Sequence, residues 1–89
     1  MARVIFTPNI QRHLACPEST VDGRTVREVL DEIFAGNPQA RSYVLDDQAA
    51  LRKHMTIFVD GKAIRDRARL SDAVADASTI YVLQALSGG

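Results

Sequence analysis

One stretch, "VDGRTVREVLDEIFAGNP" at residues 21–38, does most to limit what this chain can fold into. Thr25 and Glu28 stand three residues apart ahead of an apolar run. At that spacing each side chain reaches the other's backbone N–H and caps a helix start. Val26, Val29, Leu30, Ile33 and Phe34 then fall at i, i+3, i+4, i+7 and i+8, a single apolar stripe. Arg27, Glu28, Asp31 and Glu32 face away from it. Gly36 and then Asn37-Pro38 supply a stop. The spacing predicts a helix over about 26–35 with one face to bury.

The surface that buries this face is read from the short β-branched and aromatic runs on either side. "ARVIFT" (2–7) reads as a strand ended by Pro8, and "QRHLAC" (11–16) as a weaker strand stopped by Pro17, together an opening hairpin around "PN". "SYVL" (42–45) reads as a short strand, and "DDQAALRKH" (46–54) as a loop or one helical turn. "MTIFVDGKAI" is a hairpin signature, because Asp60-Gly61 suits a type I′ turn. "RDRAR" is a charged connector and "LSDAV" a single helical turn. "STIYVLQAL" (78–86) is the last strand and the most apolar. The order β-β-α-β-β-β leads to an α+β fold: a mixed sheet of about five strands with one main helix across one face. The last strand is apolar enough to be central, and parallel pairing with the first would send the tail out from one end of a rigid platform.

The chain has 89 residues, enough for one domain with one modest core. Lys plus Arg equals Asp plus Glu, which gives no general pull toward nucleic acid or an anionic membrane. The single cysteine, Cys16, cannot form an internal disulfide, and no Cys/His spacing suggests a metal site. No run approaches the roughly 20 apolar residues of a membrane span. The N-terminus has no signal-peptide stretch, so the expected location is the cytoplasm.

Strand alternation sorts the side chains by face. Val4, Phe6, Ile57, Val59, Ile80 and Val82 are expected to point to the helix-covered core. Ile5, Phe58, Tyr81 and Leu83 are then expected on the open face, an apolar patch of the kind that marks a partner site. The chain runs on into Ser87, Gly88 and Gly89. Glycine has no Cβ, so such an end threads into a narrow groove with its carboxylate unhindered. A carboxylate is a poor acyl donor, but ATP can make it an acyl-adenylate that sulfide, a thiol or an amine attacks. Ser-Gly-Gly is also what a frayed end or a linker looks like.

On these features the chain resembles the ubiquitin-like sulfur carriers of the β-grasp fold, which serve molybdopterin, thiamine and thiocarboxylate-dependent cysteine synthesis. The resemblance covers nearly the whole chain and is strongest from "MTIFVDGKAI" through "LSDAVADASTIYVLQALSGG". It implies a β-grasp domain over 1–86 and a flexible tail over 87–89. It implies that Gly89 is adenylated by an E1-like enzyme and becomes a thiocarboxylate, with Gly88 and Ser87 giving access. It also implies that Leu83, six residues before the end, docks the activating enzyme, with Tyr81, Phe58 and Ile5 beside it. The chain is then a carrier rather than an enzyme, with no catalytic residue and no bound cofactor, and ATP is used by its partner. The sulfur acceptor would be a synthase such as a pyridoxal-phosphate cysteine synthase or a pterin-synthase large subunit. The middle segment, about 37–54, is most similar to the cysteine-route carriers. Two positions depart from the family pattern: Ala77-Ser78 replaces a Gly-Asp turn, and Ser87 replaces alanine.

The remaining chemistry-bearing residues have plainer readings. A lone cysteine in a strand is usually a small buried apolar residue. His13 and His54 have no carboxylate at suggestive spacing. Arg52, Lys53, Lys62, Arg65, Arg67 and Arg69 are a solvated connector or a contact to an acidic partner, without the interleaved aromatics of an RNA surface. Two other functions use the same fold: a modifier joined through Gly89 to another protein's lysine, and a non-covalent interaction module.

Overall fold

The computed structural model describes residues 1–12 and 17–84. Its elements run β1 (Ala2–Phe6), α1 (Pro8–Gln11), β2 (Ser19–Val21), α2 (Val26–Ala35), α3 (Pro38–Val44), β3 (Met55–Val59), β4 (Lys62–Ala63) and β5 (Thr79–Gln84). The five strands form one mixed sheet in the order β2-β1-β5-β3-β4. β1 and β5 pair in parallel and the other pairings are antiparallel. The most apolar strand is therefore central, as its composition demands.

α2 spans the residues its stripe predicted, and Val26, Val29, Leu30 and Phe34 are buried. The Thr25 hydroxyl accepts from the Glu28 N–H at 3.2 Å. The Glu28 carboxylate reaches back to the Arg24 N–H at 3.0 Å, one residue before the cap itself. These side chains join Val4 and Phe6 of β1, Met55 and Ile57 of β3, and Ile80 and Val82 of β5 in one core. The Phe6 and Phe34 rings meet at 6.3 Å between centroids. Gly23 is required here for space: a Cβ on it would lie 2.7 Å from Val29 Cγ2 and 3.0 Å from Val29 N. Gly23→Ala is expected to destabilise the fold by about 1–3 kcal/mol through overpacking, measured as a lowered denaturation midpoint.

Four local expectations are corrected. The residues after β1 do not extend as a strand. Thr7 is an N-cap and Pro8 opens the short helix α1, since proline lacks an N–H that the first turn leaves unused anyway. The hairpin partner of β1 is instead β2, with Ala2 opposite Val21 and Val4 opposite Ser19; residues 13–16 lie outside the described set. "SYVL" is the end of a helix. Asn37, read as a stop, also starts α3, its side chain accepting from Ala40 N–H at 3.2 Å with Pro38 at the first position. "LSDAV" is not a helical turn. Leu70 takes φ 57° and Ala73 bridges Thr25 instead. That segment is shaped by carboxylates: Asp66 accepts from Arg69 N–H and the Ser71 hydroxyl, and Asp72 accepts from Arg65 and Asp66 N–H.

Candidate functional site

β5 is the element on which a C-terminal site would depend. It is hydrogen-bonded on both sides, to β1 through Arg3–Phe6 opposite Thr79–Val82, and to β3 through Met55–Val59 opposite Ile80–Gln84. Its odd and even residues divide as strand geometry requires: Ile80 and Val82 are fully buried, and Tyr81 on the opposite face is 42% exposed.

The register sets out the open face. Ile5, Tyr81 and Phe58 lie side by side on β1, β5 and β3, and Ala63 of β4 continues the row. Leu83 stands one step further along β5, beside Thr56. All four residues assigned to this face therefore lie on it together. They are less bare than strand alternation alone implies, since only Tyr81 is exposed and Ile5, Phe58 and Leu83 are half-buried. Neighbours across a sheet sit about 5 Å apart and shade one another. Arg3 is also on this face, paired with Glu18 at 2.5 Å. Their hydrogen bond and charges hold the Glu18 carboxyl below its ordinary range. The pair is solvent-exposed, so it contributes little to stability.

The start of β5 is tied to the hairpin. Asp60 and Gly61 both take positive φ, 50° and 85°, the type I′ turn expected of Asp-Gly. The Asp60 carboxylate accepts from Thr79 N–H at 2.9 Å and from the Ser78 hydroxyl at 2.7 Å. Ser78, itself buried, accepts from Ala75 N–H at 2.9 Å. So the Ala77-Ser78 departure builds a turn of its own, held by a serine hydroxyl. The hydrogen bonds from Thr79 and Ser78 lower the Asp60 pKa. A lowered folded-state pKa means the stabilisation is complete above the unfolded value of about 3.9. It is lost as pH falls through that value and on through the folded one. Asp60→Asn is expected to lower the Tm near neutrality and to shrink the further fall in Tm below about pH 5. Thermal melts of variant and wild type across that range check it.

The far end of β5 is held differently. Gln84 pairs with Met55, and its side-chain oxygen accepts a hydrogen bond from the Tyr43 hydroxyl on α3. The Tyr43 ring stands edge-on to His54 at 6.4 Å. Sequence reasoning missed Tyr43, because it lay in a segment read as a strand. The signal that finds it is Ala40 and Val44 at i and i+4, with Asn37-Pro38 read as a start.

Ser87, Gly88 and Gly89 lie outside the described residues, as do His13 and Cys16. Of the six basic residues, two are tied to the fold through their side chains. Arg67 donates to the carbonyls of Arg52 and Met55 at 2.9 and 2.7 Å, and Arg52 donates to the carbonyl of Ser42 at 2.9 Å. Among the described residues no group of three His, Cys, Asp or Glu is placed to hold a metal ion. No described helix is long and apolar enough to cross a membrane.

Comparison with known proteins agrees with this geometry. The model of the ThiS family matches residues 9–89. No curated protein sequence matches the chain. Among solved structures, a chain of the BexX/CysO complex from Amycolatopsis orientalis is 20% identical, with TM-score 0.83 and 100% of both chains covered. CysO from Mycobacterium tuberculosis is 19% identical, with TM-score 0.79 and coverage of 97% of this chain and 100% of that one. The small archaeal modifier protein 1 from Methanosarcina acetivorans is 23% identical, with TM-score 0.79 and coverage of 99% and 95%. These likenesses establish the ubiquitin-like β-grasp fold. The family match, which runs through the last strand to the closing Gly-Gly, establishes that the chain belongs to the ThiS family.

Proposed function

We propose that this protein is a sulfur carrier whose Gly89 carboxylate is activated by an E1-like enzyme and becomes a thiocarboxylate. The carboxylate attacks the α-phosphate of ATP and pyrophosphate leaves. Sulfide then adds to the carbonyl of the acyl-adenylate and AMP leaves, which gives the thiocarboxylate without any change of oxidation state. An acceptor synthase takes the sulfur. The carrier itself supplies no catalytic group. ATP belongs to its partner, and the open face of Ile5, Phe58, Tyr81 and Leu83 is the docking surface.

The reading is carried by the family match through Gly89. The placement of β5 at the middle of the sheet supports it, since the tail is then attached to the best-held strand in the fold. The similarity of the segment about 37–54 to the cysteine-route carriers favours cysteine synthesis as the destination of the sulfur, and the BexX/CysO complex favours a protein partner. The test is the mass of the C-terminal fragment after incubation with an E1-like enzyme, ATP and sulfide. Replacement of oxygen by sulfur in the fragment ending at Gly89 is expected. The shift must be localised there, because oxidation of Met1, Met55 or Cys16 has nearly the same nominal mass. An unshifted fragment, with the enzyme active on its own carrier, rejects the reading.

The likeness to a small archaeal modifier protein supports a second reading, in which an amine rather than sulfide attacks the adenylate. It predicts heavier conjugates on a denaturing gel that vanish when Gly89 is removed.

A further inference from the structure

We infer that Tyr43 is a positioning residue for the tail: through Gln84 it sets the direction in which the chain leaves β5. The inference rests on the carrier reading for its functional consequence and on the geometry of β5 for its mechanism.

The β1 side of the ladder ends before the strand does. The last paired residues are Phe6 and Val82, with one further hydrogen bond from Thr7 N–H to the Val82 carbonyl at 3.2 Å. Beyond Val82, the only pairing of described strand residues is on the β3 side, where Met55 stands opposite Gln84. Gln84 has the parity of Ile80 and Val82, so its side chain lies on the helix-covered face. There the Tyr43 hydroxyl donates to it from α3, 41 residues earlier in the chain. Tyr43 is half-buried, packs on the core, and has its ring edge-on to His54, the residue next to Met55. The end of β5 thus gains a contact from α3 where its contact from β1 stops.

Five residues follow Gln84 to the end of the chain, a reach of at most about 18 Å. The direction of the backbone at Gln84 sets the cone of positions open to the residues that follow. Misplacing a reacting group by about 1 Å can lower a rate by about a hundredfold. A contact that narrows the exit directions therefore raises the fraction of docked molecules whose carboxylate is correctly presented. The docking face is on the other side of the sheet, so this effect is separable from binding.

The experiment compares wild type with Tyr43→Phe, Gln84→Met and the double variant, using an E1-like enzyme with ATP. Tyr43→Phe keeps the ring and removes the donor; Gln84→Met removes the acceptor. Each is expected to lower kcat for adenylation by roughly three- to tenfold, the scale of one hydrogen bond. KM should stay within about twofold, since docking is untouched. The double variant should be no worse than either single one, and Gln84→Glu, which keeps an acceptor, should retain activity. Backbone amide relaxation at Ala85 should report a lower order parameter in both single variants. A merely structural tyrosine would lower Tm and leave the Ala85 amide and the kcat-to-KM split unchanged. Wild-type kcat together with an unchanged Ala85 order parameter in Tyr43→Phe overturns the inference. If the wild-type chain is never adenylated, the carrier reading fails and the Ala85 comparison alone decides whether Tyr43 orients the tail.

Discussion

Deleting Gly89 is expected to abolish thiocarboxylate formation while leaving the fold intact. The deletion keeps a glycine carboxylate at the end of the chain but places it one residue short, about 3.5 Å from where the activating enzyme must find it. Since a shift of 1 Å can cost about a hundredfold in rate, the loss should be at least that large. Stability should change by less than about 0.5 kcal/mol, because no core residue of the described chain lies beyond Val82. The check is a pair of measurements on one sample: thiocarboxylate yield and a denaturant midpoint. An unchanged yield removes Gly89 from the chemistry, and binding that is indifferent to truncation after Ser87 would favour a non-covalent module.

The second large effect is expected from Leu83→Glu. Leu83 is half-buried on the open face, beside Thr56 and one step along β5 from the Ile5–Tyr81–Phe58 row. If this row docks the activating enzyme, a carboxylate at its tail-proximal end must be desolvated on binding. Loss of a docking anchor costs about 2 kcal/mol or more, or roughly a thirtyfold rise in Kd. The cost to folding should be about 1 kcal/mol or less, as no fully buried group is removed. Titration of the folded variant against the activating enzyme measures the first, and a chemical melt the second. A variant that unfolds would mean that Leu83 belongs to the core; one that binds as wild type does would move the docking surface elsewhere.

The central part of the fold was legible because its signals are periodic and long enough to be unambiguous. The α2 stripe occupies two and a half turns, and its cap is stated in the side chains of Thr25 and Glu28. The Asp60-Gly61 turn needs two positive φ angles, which few other dipeptides accept. The faces assigned to residues 4–6, 57–59 and 80–83 followed from alternation. What was missed is short. α1 has four residues and α3 has seven, too few for a stripe to declare itself, and Asn-Pro both ends one helix and begins the next. The Ser78–Asp60 contact joins residues 18 apart through a turn that no local pattern encodes. Tyr43 was lost with α3, and with it the contact at the root of the tail.

The parallel pairing of β1 with β5 ties the beginning of the chain to its last strand. The sheet's centre can therefore be completed only once β5 has been synthesised, since this middle strand follows the other four in the chain. A molecule interrupted before β5 lacks the buried Ile80 and Val82 and leaves one edge of both β1 and β3 unpaired, and it is expected to be unstable. Folding thus requires β5 and is insensitive to residues beyond its core side chains. Chains that stop ahead of this strand are expected not to persist as folded molecules, which a protease-resistance assay on a chain ending before Thr79 would check.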